Sequence, residues 1–216
     1  MIPFARMVQY GHVGPDPNIL LDIDFSEQEL GTRNIVDKSE HSVFSLVRGV
    51  GGIVQYDADI GTNVMVISTD SRYQTAMNTY LDLVGKNYEI HIVFKSTSST
   101  SQYVYGTGDW NGSRIPGINF NLNQNSANYM QWFIDTGSVF NRISTGGTRV
   151  VLWEDLTLRV TSTAMVVINN RLGTTVSYPR YGYGTGTIFS LFGSYTGGTP
   201  NPFIGSVQKL KIVKIN

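Results

Sequence analysis

Residues 88–95 read Tyr-Glu-Ile-His-Ile-Val-Phe-Lys. In an extended chain Tyr88, Ile90, Ile92 and Phe94 share one face while Glu89, His91, Val93 and Lys95 take the other, because successive side chains alternate. A helix would scatter those four apolar side chains around its circumference, whereas a strand delivers them all to one core. The same period of two recurs in ILLDIDF (19–25), where Leu21, Ile23 and Phe25 oppose Leu20, Asp22 and Asp24. In DLTLRVT (155–161), Leu156, Leu158 and Val160 alternate with Thr157 and Arg159. Further strands are predicted at 64–68, 117–122, 129–135, 164–169, 187–193 and 209–215. Turn signals lie between them at Gly51-Gly52, Gly146-Gly147, Asn169-Asn170 and Gly197-Gly198. Residues 71–86 (SRYQTAMNTYLDLVGK) alone read as a short helical turn. About a dozen short strands without helical spacers predict an all-β fold, two antiparallel sheets packed as a sandwich or jelly roll.

Composition agrees. The chain has 216 residues, the size of one ordinary domain. Only 15% are charged, and 23 Gly, 20 Thr, 19 Ser and 16 Asn take up the difference. That is a turn-rich β composition, since helical bundles draw on Ala, Leu, Glu and Lys. Residues 1–18 stand apart: Pro3, Pro15 and Pro17 break any regular element, yet Ile2, Phe4, Met7, Val8 and Tyr10 are apolar. The expected organisation is an extended N-terminal arm (1–18) that packs on its own domain or a neighbour through those five residues, followed by a sandwich domain (19–216).

Several function classes are excluded or disfavoured. Sixteen Lys and Arg balance sixteen Asp and Glu, so nothing draws the chain to nucleic acid or an anionic membrane. Cysteine is absent, which removes disulfides, thiolate metal sites and a Cys nucleophile. His12, His41 and His91 have no ligand spacing, and no cofactor or metal is expected. No apolar run reaches the roughly 18 residues of a membrane span. The N-terminal residues lack the apolar run of a signal peptide, so synthesis in a cytoplasm is expected.

The order of elements resembles the concanavalin A-like lectin/glucanase superfamily in its laminin-G-like or pentraxin-like form, over residues 18–216. The resemblance is carried by ILLDIDFSEQELGTRNIVDKSEHSVFSL at the start, YEIHIVFKS, and YVYGTGDW with its Gly-Asp turn. It continues in WEDLTLRVTSTAMVVINNRLGTTVS, where a Trp opens a strand before a polar hairpin, and in the ending FSLFGSYTGGTPNPFIGSVQKLKIVKIN. Gly193 and Gly205 are expected at tight turns, and Trp153 and Phe203 at the sandwich ends. Glucanases of this superfamily carry E-x-D-x-x-E on one strand. None of Glu27, Glu29, Glu40, Glu89 or Glu154 has that spacing, and Glu154-Asp155 point to opposite faces, so no enzyme is expected. Gly182-Tyr-Gly184-Thr-Gly186 lacks the Lys of a phosphate loop.

Asp57, Asp59 and Asn63 have the spacing of an oxygen-ligated calcium site, but Asp capping a turn is the simpler reading. Aromatics among glycines at loop tips suit sugar faces: Asp109, Trp110, Asn111 and Arg114 in one loop, and Tyr181 and Tyr183, with Arg180 beside them, in another. Lys209, Lys211 and Lys214 read as a solvated face guarding an edge strand. Phage virion proteins resembling this fold decorate heads or tails. The resemblance therefore implies a non-enzymatic bacteriophage virion protein, docked by residues 1–18 to other virion proteins. It would also form a homo-oligomer and touch host-surface polysaccharide. A free-standing soluble lectin is the alternative.

Overall fold

The alternation of apolar and polar residues is realised as two stacked antiparallel sheets in a computed structural model that describes residues 16–106, 117–123, 129–136, 138–144, 152–193 and 201–216. The first sheet runs β13 (Thr174–Pro179), β12 (Ala164–Asn169), β11 (Glu154–Val160), β6 (Tyr88–Ser96), β15 (Gly205–Lys214), β4 (Thr62–Ile67) and β3 (Ile53–Asp57). Strand β1 (Ile19–Asp24) lies beside the far half of β15 and runs into a single 3-10 turn, Phe25–Glu27. The second sheet runs β10 (Phe140–Ser144), β9 (Met130–Asp135), β8 (Gly117–Leu122), β7 (Gln102–Gly106), β14 (Ile188–Leu191), β5 (Arg72–Ala76) and β2 (Ser45–Arg48). Among the described residues no helix is long and apolar enough to cross a membrane.

The inward faces make one apolar core. Tyr88, Ile90, Ile92 and Phe94 of β6 are all at most 1% exposed, and Leu156, Leu158 and Val160 of β11 are fully covered. From the other sheet come Tyr105, Ile118, Phe120, Trp132, Ile134 and Phe189. Phe120 meets Trp132 at 4.5 Å and Phe94 at 5.5 Å between ring centres, the second edge-on, which joins the two sheets through aromatic contacts. Phe203 fills the end of the core as expected, fully covered against Phe94 and Phe192. At Gly205 a β-carbon would stand 2.1 Å from the Lys95 carbonyl, so the close approach of β15 to β6 admits only glycine there. Gly193 has ordinary room for a side chain.

Three expectations need correction. Residues 71–86 hold no helix: 72–76 form β5, where Tyr73 drops into the core and Gln74 pairs opposite Ser190. Beyond Ala76 the chain makes two short turns, the first with the Asn78 side chain accepting from the amides of Tyr80 and Leu81, so Leu81 and Leu83 are buried without helical continuation. Second, the C-terminal strand is not an edge. β15 is paired with β6 along one side and with β4, then β1, along the other. Lys209 and Lys211 face outward from that central strand and are held by Asp24 at 3.4 Å and Asp22 at 3.0 Å. The two aspartates thus gain a partner that sequence order hid. Third, β2, β3, β5, β7, β10 and β13 lay outside the strands predicted from alternation, and all but β7 lie at or next to a sheet edge.

The buried indole N–H of Trp132 donates to the Tyr105 hydroxyl at 2.8 Å. Tyr105→Phe is expected to leave that donor unsatisfied and to cost about 1–3 kcal/mol in urea unfolding. Because the ring is retained, the far-ultraviolet circular dichroism of the folded protein should be unchanged.

Candidate functional site

The outward face of the first sheet is the polar half of the alternation that built its core. Pairing of β6 with β11 and β15 lines up side chains across strands: Asp22 stands beside Lys211, Lys211 beside His91, and His91 beside Thr157. Glu89 pairs with Arg159 at 2.5 Å. One residue pair further along, His91 Nε2 lies 2.8 Å from an Asp155 carboxylate oxygen. The Asn170 amide donates to Asp155 at 2.6 Å and to the Thr157 hydroxyl at 3.2 Å. Glu89, His91, Asp155, Thr157, Asn170 and Lys211 line a shallow cleft of about 340 Å³.

At the Lys95 end of β6 the strip opens into a second cleft, of about 410 Å³, lined by Asp59, Lys95, Leu152, Trp153 and Arg171. Both volumes are in the range of small-ligand clefts, roughly 300–1,000 Å³. Trp153 precedes β11 and shares the outward face with Asp155, since Glu154 and Leu156 point inward. It is half-buried, so it lines this cleft as well as closing the sandwich end. Its indole N–H is buried and meets no acceptor among the described residues, so packing alone sets the plane of the ring.

Two ion pairs flank the tryptophan. Lys95 reaches Asp59 at 2.5 Å, which holds the lysine's pKa above its ordinary value. Arg171, in the turn after β12, grips buried Glu154 with two N–H groups at 2.5 and 3.0 Å, while Asn169 donates to the same carboxylate at 3.2 Å. The bidentate geometry fixes the guanidinium plane at the cleft wall. Each outward carboxylate of the strip has a cationic or amide partner, so these groups form a positioned polar surface.

The structure separates the sequence-derived candidates. Asp109, Trp110, Asn111 and Arg114 lie outside the described residues, as do Ile2, Phe4, Met7, Val8 and Tyr10 of the arm. Tyr181 and Tyr183 pack against the core. The Tyr183 hydroxyl donates to the Leu83 carbonyl at 2.7 Å and its ring meets Tyr88 edge-on. Burial raises the Tyr183 pKa. Arg180 binds the Thr161 and Lys86 carbonyls, so this loop is fastened to the sandwich. Asp57 accepts from the Asp59 amide as a turn cap, and the Asn63 amide holds the Gln28 carbonyl. The strip itself went unrecognised: its residues were visible as the polar half of YEIHIVFK and DLTLRVT, but only the register brings them side by side.

No described protein family matches the sequence, and no curated protein is similar to it. Solved structures do match. Domain 4 of AbnA, an extracellular arabinanase from Geobacillus stearothermophilus seen in complex with arabinotriose, is 15% identical. It superposes with a TM-score of 0.66 over 91% of this chain and 92% of that one. The chain also resembles the binding domain of botulinum neurotoxin serotype D (TM-score 0.62, 13% identity) over 91% of its own length and 48% of the toxin domain. The binding domain of Paraclostridial Mosquitocidal Protein 1 matches at TM-score 0.65 and 13% identity, over 92% of this chain and 50% of that one. The fold is the antiparallel β-sandwich of these domains. The chain spans about half the length of the toxin binding domains.

The charge pairs can be tested one at a time. Arg171→Ala strands the Glu154 carboxylate at the core end and is expected to cost about 1–3 kcal/mol in denaturant unfolding. At Asp24 burial pushes the carboxyl up, but the Ser26 hydroxyl and amide and Lys209 outweigh it and hold the pKa below its ordinary value. A depressed folded-state value means stabilisation that is complete above the unfolded value and lost as pH falls through the folded one. Asp24→Asn should therefore lose less stability than the parent as pH falls below about 4, followed by urea midpoints across pH.

Proposed function

We propose that this chain is a non-enzymatic, lectin-like display module of a bacteriophage virion, docked by residues 1–18 and contacting host-surface polysaccharide through the outer strip of its first sheet. The observation that carries the glycan reading is Trp153: an aromatic ring lining a cleft between two charged pairs, on an exposed sheet face. Sugars offer an apolar ring face and a rim of hydroxyls, which suits an aromatic wall beside Arg171, Lys95 and Asp59. Over the seven residues from Lys95 to Glu89 the strip extends roughly 20 Å, enough for an extended oligosaccharide. That a sugar-complexed arabinanase domain shares the fold supports the reading by analogy of scaffold.

The virion placement rests on the laminin-G-like resemblance and on the proline-broken apolar arm, which suits docking to a neighbouring virion protein. Repeated copies on a particle or in a homo-oligomer would raise weak sugar contacts to useful avidity. A free-standing lectin is the second reading, favoured by near-complete overlap with a single sugar-complexed domain.

Retention on immobilised host polysaccharides tests the glycan reading. Trp153→Ala should weaken retention about tenfold while the thermal melt stays cooperative, and equal retention of both proteins would sink the assignment. A chain lacking residues 1–18 should keep its sugar binding yet fail to rebind particles stripped of this protein. If it rebinds, the arm is not the anchor.

A further inference from the structure

The outer strip of the first sheet is rich in charged side chains, yet every described cation that lines its two clefts is already held by a carboxylate of the chain. Lys211 lies 3.0 Å from Asp22, and Lys95 lies 2.5 Å from Asp59. Arg171 gives its Nε–H and one Nη2–H to Glu154. These pairs differ in how firmly they hold. The Glu154 side chain is 6% exposed, so a ligand that drew Arg171 away would strand a buried carboxylate. The Asp59 side chain is 68% exposed, so its pair with Lys95 is a surface one that cancels the lysine's charge without locking it.

The carboxylates are less fully engaged. One oxygen of Asp155 takes both the His91 and the Asn170 contacts, and the other has no partner among the described residues. At Asp59 one oxygen meets Lys95 and the second is likewise open. With His91 uncharged, the clefts and their direct partners set five carboxylates (Asp22, Asp59, Glu89, Glu154, Asp155) against four cations (Lys95, Arg159, Arg171, Lys211). Among the described residues the strip therefore offers open acceptor oxygens and no spare cation.

Resting on the glycan reading above, we propose that this strip takes neutral polysaccharide and rejects acidic polysaccharide, and that Asp59 sets the choice at the Trp153 cleft. A neutral sugar presents hydroxyls, which donate to the open oxygens of Asp59 and Asp155, and a ring face, which packs on Trp153. A uronate or sulfated sugar brings an anion to the same cleft. It must then break the Arg171 pair, at the cost of a stranded buried Glu154, or compete with Asp59 for Lys95. Failing both, its anion is desolvated beside carboxylates with no compensating partner. Without the charge of Asp59, Lys95 would stand free beside the indole as a site for an acidic sugar.

Retention of the full chain on immobilised arabinan and dextran, both neutral, and on polygalacturonate tests this at about 0.05 M and about 0.5 M sodium chloride. The parent should be held by a neutral polymer with less than about a twofold change between the two salts, and should pass through polygalacturonate. Asp59→Asn keeps the shape of the side chain and releases Lys95. It should gain about tenfold in retention on polygalacturonate at the lower salt and lose that gain at the higher one, with a cooperative thermal melt as the control for folding. A parent held by polygalacturonate and released by salt would overturn the proposal and leave the glycan reading standing. So would an Asp59→Asn protein that is held by a neutral polymer and still passes through polygalacturonate. A parent held by neither class would overturn the glycan reading and the neutral preference with it.

Discussion

The pairing of β15 along both its edges is the constraint on which the rest of the sandwich depends. The last strand of the chain is inserted between β6 on one side and β4 and β1 on the other, so four segments far apart in sequence share one set of backbone hydrogen bonds. Side chains alternate with a period of two, so a slip of one residue in any of these ladders would send Ile90, Ile92 and Ile212 to solvent and His91 and Lys211 to the core. Glycine at 205 permits the close start of this strand, and the irregularity between Val207 and Lys209 lets it shift register as its second neighbour changes from β4 to β1.

The outer face inherits its order from that same ladder. Surface ion pairs are individually weak, about 0–1 kcal/mol, so the row from Asp22 through Lys211 to Arg159 adds little to stability. Its consequence is geometric. Each polar side chain is held by a cross-strand partner, and the result is a preorganised polar strip that ends at the half-buried ring of Trp153. Glu154 and Arg171 belong to a different layer. Glu154 points inward with Asn169, and the arginine that neutralises it also walls the cleft, which couples the shape of the candidate site to the integrity of the core end.

The sequence was most legible where burial is greatest. Residues 88–95, 117–122, 130–135, 155–160 and 164–169 lie in strands as read, because each must give one face to the core and alternation records that demand. The peripheral strands β2, β3, β10 and β13 escaped because short strands at or near a sheet edge owe less to the core and carry no alternation to read. The Lys209 and Lys211 pair was misplaced for a related reason: outward lysines look alike on an edge and on a central strand, and only the partners Asp22 and Asp24 tell them apart. Tyr183 suited a sugar loop in sequence, yet the Leu83 carbonyl and the Tyr88 ring, both distant in the chain, claim it for the fold.

By itself the sequence determined the layer architecture: two antiparallel sheets, the residues of each inward face, and the absence of cysteine chemistry. These follow from local periodicity and composition, which act over a few residues. Only the tertiary structure decided which strands are neighbours, that the final strand is central, and that Trp153 lines a cleft between Lys95 and Arg171. Those facts depend on pairing between distant segments, and alternation within a strand specifies which face is buried without specifying which strand lies beside it.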